Sequence, residues 1–249
     1  MQDAAQRRSA TDPRVTGDYT RELRDGQIIL VGVVHDHPAS IHRVRTAVEA
    51  NTETVALELP PVAVPRFRQF ADSEQSPPPD GGEMSAAIQA ANTDRIIGID
   101  RPTVAYARAL VGALYGERPS RKTVREVLSN TFSAVKSALG YRTAAAFTTL
   151  TASERGGVEP ASGAAEWTDS PSVQAEDERR QIRRSRSFMN AFSDAPSERA
   201  SAFEDRVREA HMADRLAARP SDERIVAVVG IDHLDPLTER LQDSSVSNY

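Results

Sequence analysis

Residues 27–59 read QIILVGVVHDHPASIHRVRTAVEANTETVALEL. The continuous run Ile28–Val34 is apolar and rich in β-branched residues, the pattern of a strand buried on both faces of a parallel sheet. It stops at His35. Ser40 is a candidate N-cap for a helix on which Ile41, Val44 and Val48 recur on one face, and Asn51 can end that helix. Thr54–Leu59 is a second strand bearing one carboxylate, Glu58, and Pro60-Pro61 stops it because proline cannot donate to a ladder. Strand, helix and strand within about thirty residues predict a βαβ unit. The first half of this pattern returns near the C-terminus as RIVAVVGIDHL (224–234), a β-branched run followed by glycine, two residues and histidine. Gly32-Val-Val-His35 and Gly230-Ile-Asp-His233 thus place the same Gly-x-x-His at the same point relative to a strand.

Between these ends, 62–76 is predicted helical up to the Pro77–Gly82 loop, followed by a helix over 84–92 and a short third strand over 95–100. Pro102 suits the first turn of a helix reaching about Tyr115. Ser120 is a candidate cap for a longer helix striped by Val124, Val127, Leu128, Phe132, Val135 and Leu139, with Gly140 at its end. Residues 151–173 are rich in Gly, Ser, Ala and Pro and are expected to be a flexible insert. A charged helix over 176–192, read as a solvated face, and another over 197–218 lead into the last strand. Residues 1–20 are expected to form a loose arm. The rest, 21–249, is expected to be a single α/β domain, its mainly parallel or mixed sheet flanked by helices, with a helical insertion at about 103–200.

The chain of 249 residues is long enough for a sizeable core, but 39% hydrophobic and 5% aromatic content is lean. A net charge of -5 argues against a nucleic-acid partner. No cysteine is present, which excludes disulfides and thiolate chemistry and leaves His and carboxylates as candidate metal ligands. The N-terminal residues lack the apolar stretch of a secretory signal, and no run is long enough for a transmembrane segment, so a cytoplasmic protein is expected. A homo-oligomer stays open.

Ligands of open α/β sheets collect at the carboxyl ends of the strands. His35 and His233 stand at that point on two strands and Glu58 ends a third. Two imidazoles and a carboxylate form a common donor set for a divalent metal that keeps room for an activated water. Gly32 and Gly230 allow close approach of backbone to metal or substrate. His37 shares strand parity with His35 and is expected to face the same site. His42 and His211 are read as exposed helix residues. A His-x-His reading of His35-Asp36-His37 as part of a TIM barrel ranks last, because strand signals are too few for eight β/α units.

These segments resemble the TraB/PrgY pheromone-shutdown family. Residues 31–59 are similar to its opening strand, Gly-x-x-His, helix and Glu-bearing strand, and GIDRP (98–102) to its Gly-Asp-Arg-like segment. VREAHMADRL (207–216) is similar to its Glu-Arg-Asp-x-x-Met-Ala signature, with Glu209 where Asp is usual, and VAVVGIDHL (226–234) to its closing motif. Val33 stands where threonine is usual and His37 where serine is frequent. The arginine often found soon after the glutamate is missing near Ala63. The family is in turn similar to Tiki-type metalloproteases and the erythromycin-esterase-like group. The resemblance implies a metal-dependent, peptidase-like hydrolase of a peptide or small molecule. Its metal, manganese or cobalt, would be held by His35, His233 and Glu58. Glu58 would be ligand or general base, Arg208 would neutralise developing charge or anchor a substrate carboxylate, and Asp100, Arg101 and Glu209 would orient the ligands. The alternative is a binder that sequesters a small peptide or pheromone-like ligand in the same crevice, since fold alone does not settle function.

Overall fold

Short β-branched strands buried on both faces build the centre of the molecule. In a computed structural model the described residues are 12–50, 52–131, 165–192 and 196–246. Five strands form one mixed, mostly parallel sheet: β1 (Thr20–Leu23), β2 (Ile28–Val33), β3 (Thr54–Leu57), β4 (Ile96–Gly98) and β5 (Ile225–Gly230). Their spatial order is β1-β2-β5-β3-β4. β1 runs antiparallel to β2, and the other pairs are parallel. The α/β architecture expected from sequence is therefore observed.

The helices are α1 (Pro38–Glu49), α2 (Val64–Ala71), α3 (Gly82–Ala90), α4 (Val104–Glu117), α5 (121–131, the end of that described stretch), α6 (Pro171–Phe192), α7 (Pro196–Ala217) and α8 (Ile231–Val246). Each sheet face has its own apolar layer. On one, Leu30, Ala227 and Val229 pack under Met212 and Leu216 of α7 and Leu234, Leu237 and Leu241 of α8. On the other, Val31, Val33, Val55, Leu57 and Val228 pack under Val44 and Val48 of α1 and Met84 and Ala87 of α3. A side cluster of Tyr106, Leu110, Val127, Phe203 and Val207 joins α4, α5 and α7.

Several local expectations differ from the structure. The expected N-terminal arm ends in an edge strand that sequence reading did not anticipate, with only Leu23 of β1 buried. The cap of α1 is His37, not Ser40: its side chain accepts from the Ala39 N–H, and Pro38 opens the helix. α6 begins at Pro171, inside the span expected to be flexible, and the helix expected over 62–76 occupies only Val64–Ala71. Asn51, the stripe beyond 131 and residues 151–164 of the insert lie outside the described residues. Among the described residues no helix is long and apolar enough to cross a membrane.

Candidate functional site

Three adjacent strands deliver the site. β5 lies between β2 and β3, so the carboxyl ends of these strands bring His35, His233 and Glu58 together. After β2 the chain turns at Asp36, which has φ of 58°. Glu83, buried in the first turn of α3, clamps that turn with both oxygens: Oε1 lies 2.6 Å from His35 Nδ1 and Oε2 accepts the Asp36 N–H at 3.0 Å. Gly82 beside it has φ of 51°, a conformation that favours glycine, and a Cβ there would push on the Asp36 side chain. β5 runs into α8 without a loop, which puts His233 in the first turn of α8, its Nδ1 3.0 Å from Glu209 Oε1. Glu58 accepts the Gly230 N–H through Oε2 at 2.6 Å. The point where a Cβ on Gly230 would stand is 3.4 Å from Glu58 Oε2, 3.7 Å from His233 Cδ2 and 3.9 Å from His35 Nε2. The three side chains meet over a residue that leaves them space. A cavity of about 420 Å³ opens there, lined also by Val34, Ile231 and Asp232 on the sheet side and by Gln181, Ile182 and Ser185 of α6.

Arg208 of α7 reaches this centre from the side. Its Nε and Nη2 donate to the two oxygens of Asp100 at 3.1 and 2.7 Å, and Nη2 also donates to Glu58 Oε1 at 2.8 Å. Nη1 faces Asp205 Oδ1 and His233 Nε2, each at 3.3 Å. A guanidinium has five N–H donors; four of them go to oxygens of Asp100, Glu58 and Asp205, and the fifth faces His233 Nε2. Arg208 therefore holds Glu58 in place and lines the cavity, with most of its donors already committed to carboxylates.

The two imidazoles are built alike, each fixed through Nδ1 by a carboxylate. The hydrogen bond to Glu83 raises the His35 pKa to about 9; partial burial works against this and the charges of Glu58 and Asp36 add to it. His35 is thus an imidazolium at neutral pH, and its Nε2–H is free to donate into the cavity. For His233, burial disfavours the charged form, but the bond to Glu209 and the charge of Glu58 outweigh it and the pKa is raised. Burial likewise opposes the charge on Arg208, and the Asp100 and Glu58 carboxylates more than restore it.

Of the other expected site residues, Asp100 and Glu209 are in place behind Arg208 and His233. His37 is not in the cavity. It caps α1, and its buried Nε2 lies 3.4 Å from Asp177 Oδ2, because the Asp36 turn breaks the strand parity that would have aligned it with His35. Arg101 points away to Glu204 at 2.7 Å and the Tyr106 hydroxyl at 3.3 Å. Gly32 makes room for α8 rather than for a ligand, since a Cβ there would meet Ile231 Cδ1 at 2.8 Å and Leu234 Cδ2 at 3.0 Å. His211 is buried, with Nε2 3.0 Å from the Thr103 hydroxyl, and His42 is half-buried beside Asp12. Sequence reading missed Glu83 and the α6 wall. An acidic residue in the first turn of the small-residue helix GEMSAAIQA was the only signal for Glu83.

The α6 wall is held by a buried polar seam. The Ser40 hydroxyl donates to Glu178 Oε1 at 2.5 Å, Arg43 pairs with Glu178, and Arg43 Nη1 donates to the Gly32 carbonyl at 2.8 Å. The α6 acids read as a solvated face are thus partly buried against α1.

The divalent ion implied by the family likeness meets a specific obstacle. A metal–imidazole bond is about 2.0–2.1 Å long, and Arg208 Nη1 already stands 3.3 Å from His233 Nε2. A cation bound to that nitrogen would lie against the guanidinium. Each oxygen of Glu58 accepts one hydrogen bond, from Arg208 or from Gly230, and keeps a second lone pair, so the crowding is at His233. Among the described residues no three His, Cys, Asp or Glu side chains are gathered as a metal site. The residues as placed do not fit the ion. A carboxylate on Nδ1 is common behind metal-bound imidazoles, and it equally orients an imidazole for proton transfer. No family model, curated protein or solved structure matches this chain, so the TraB/PrgY likeness rests on the four quoted segments.

Proposed function

We propose that the protein is a hydrolase acting on a peptide or small acyl substrate held between the sheet ends and α6. The observation that carries this reading is the convergence of Glu58, His35 and His233 within 4 Å of one point over Gly230. A carbonyl there would have its leaving group beside His35 and a water beside Glu58. Glu58, steadied by Arg208 and the Gly230 N–H, takes a proton from the water as its oxygen attacks the carbonyl carbon. His35 gives its Nε2 proton to the departing alcohol or amine. The products are the free acid and the protonated leaving group, and transfer of the proton from Glu58 back to His35 through solvent restores the site. Paired groups kept in opposite protonation states by their surroundings are the usual means of such chemistry near neutral pH. His233, 3.5 Å from Glu58 Oε1, helps set the orientation of that carboxylate. Val34, Ile231 and Ile182 with the neutral polar Gln181 and Ser185 offer an uncharged peptide segment a surface beside the charged centre.

The test is turnover of a panel of chromogenic esters and fluorogenic peptides, with and without manganese and with a chelator, by the wild type, His35→Gln and Glu58→Gln. Cleavage by the wild type that falls at least about a hundredfold in both variants supports the reading. Binding of peptides without cleavage under every condition overturns it in favour of sequestration.

A further inference from the structure

We infer that the outer face of α4 is a docking surface for a second copy of this chain, which pairs through it as an antiparallel, two-fold helix dimer. Self-association is read without substrate, so it stands or falls apart from the hydrolase reading.

α4, VAYARALVGALYGE, carries only two charges, Arg108 and Glu117. A surface helix buries one apolar stripe and turns charged residues to water, whereas a helix that is apolar all round is buried all round. The inner side of α4 obeys this rule. Tyr106 and Leu110 cluster with Val127 of α5 and with Phe203 and Val207 of α7, and Ala113 and Leu114 pack beside them. Glu117 lies on this side too, 2.8 Å from Arg206 of α7. The outer side is apolar without cover. Val104, Val111 and Tyr115 are 70, 65 and 80% exposed, and Arg108 and Gly112 are exposed with them. Steps of four, three and four residues from 104 to 108, 111 and 115 keep these side chains on one line opposite the buried one, which is the spacing of a seam between two helices.

The single charge on that line decides between kinds of occupant. Arg108 stands in the middle of the stripe and has no ion-pair partner among the described residues. Laid on a lipid surface, the helix would press this guanidinium into the acyl region, where arginine is costly. A second copy gives it a matching group instead. Two α4 helices run antiparallel with the two-fold axis between residues 111 and 112 set each Arg108 level with Tyr115 of the other copy, a cation against the electron-rich face of a ring. The same register seats each Val111 on the other copy's Gly112, where a Cβ would meet nothing of its own chain within 4 Å. Antiparallel pairing also brings the positive end of each helix dipole beside the negative end of its mate. A helix of 14 residues offers a face about 21 Å long and about 10 Å wide. That is at the small end for a specific interface, so the dimer is reversible, with a dissociation constant in the micromolar range.

The experiment uses the whole chain, which has no cysteine of its own. Sedimentation equilibrium over a concentration series is run on the wild type, Val111→Glu and Tyr115→Ala, with circular dichroism as the check on folding. The expected result is a monomer–dimer equilibrium in the wild type that is weakened at least about tenfold in both variants, the loss that follows removal of one central contact. Orientation is read from single-cysteine variants under mild oxidation, and this arm decides even if Val111→Glu does not fold. Val111→Cys lies beside the axis and should form a disulfide-linked dimer. Val104→Cys stands about 22 Å from its copy along the helix axis and should not, nor should Val173→Cys, exposed on α6. A wild type that stays monomeric throughout the series overturns the inference, as does a dimer that Val111→Glu leaves intact. Linkage through Val104→Cys as abundant as through Val111→Cys overturns it as well. Flotation of a monomeric wild type with phosphatidylglycerol vesicles, abolished in Val111→Glu, overturns it in favour of a lipid surface.

Discussion

Glu83 Oε1 lies 2.6 Å from Nδ1 of His35, and the carboxyl group is buried while the imidazole side chain is 65% exposed. The hidden acid governs the proton of the accessible base. Glu83→Gln should bring the His35 pKa down from about 9 toward its usual 6.5, read from the ring proton shifts in an NMR titration. Stability follows the same sign. A histidine whose folded pKa is raised contributes stability that is fully present below about pH 6.5 and lost as pH rises through about 9. Denaturation midpoints measured from pH 6 to 10 should therefore fall more steeply for the wild type than for Glu83→Gln. Parallel curves would contradict the assignment.

The two glycines of the repeated motif should respond in opposite ways. At Gly230 a methyl group meets its neighbours at ordinary contact distance, 3.4 to 3.9 Å, but fills the point on which Glu58, His35 and His233 converge. Gly230→Ala should keep a near-native melting temperature and lose about a hundredfold or more in turnover, since a misplacement of about 1 Å in a reacting geometry costs that much. Gly32→Ala should do the reverse, costing about 1 kcal/mol or more from overpacking against Ile231 and Leu234 while leaving the chemistry in place. Melting curves paired with kcat/KM on the same preparations check both.

Arg208→Met keeps the length of the side chain and removes its charge. It strands Glu58 and Asp100, and breaking a buried ion pair by removing one partner costs about 3–5 kcal/mol. Urea unfolding should show that loss. Adding Glu58→Gln to the variant should recover part of it, because one stranded charge then disappears.

The cavity wall depends on Glu178. Glu178→Ala leaves the buried Arg43 without its carboxylate and Ser40 without its acceptor. Hydrogen exchange should speed up in 171–187 and along the cavity-facing turn of α6, while β2, β5 and β3 stay protected. Uniform protection across α6 would show that the apolar contacts of Ala175 and Ile182 suffice to hold the wall.

Much of this centre was readable from pattern. The β-branched runs ending in Gly-x-x-His and the Glu-bearing strand identified His35, His233 and Glu58 because burial on both faces and a strand's end leave a local signature. What escaped reading depends on contacts distant in sequence. Nothing local says that β5 inserts between β2 and β3. Glu83 is an ordinary first-turn acid until the Asp36 turn is laid beside it. TREL carries a single buried residue and so lacks the alternation of a strand. His37 was misplaced because parity along β2 was extended past Val33, whereas Pro38 and the positive φ of Asp36 hand that residue to the helix. Asp177 and Glu178 belong to a helix whose charges nearly balance, and only the facing Arg43, Ser40 and His37 distinguish a buried seam from a wet surface.

The strand order has a consequence for the life of the chain. As the polypeptide leaves the ribosome, β2 and β3 emerge early and each keeps an unpaired edge, since the ribbon that zips them together is spelled out only by residue 230. Until then neither half of the site can close, and the nascent protein is open to mispairing. His35, Glu58 and His233 should come together in a single late step, when the last strand pairs with β2 and β3.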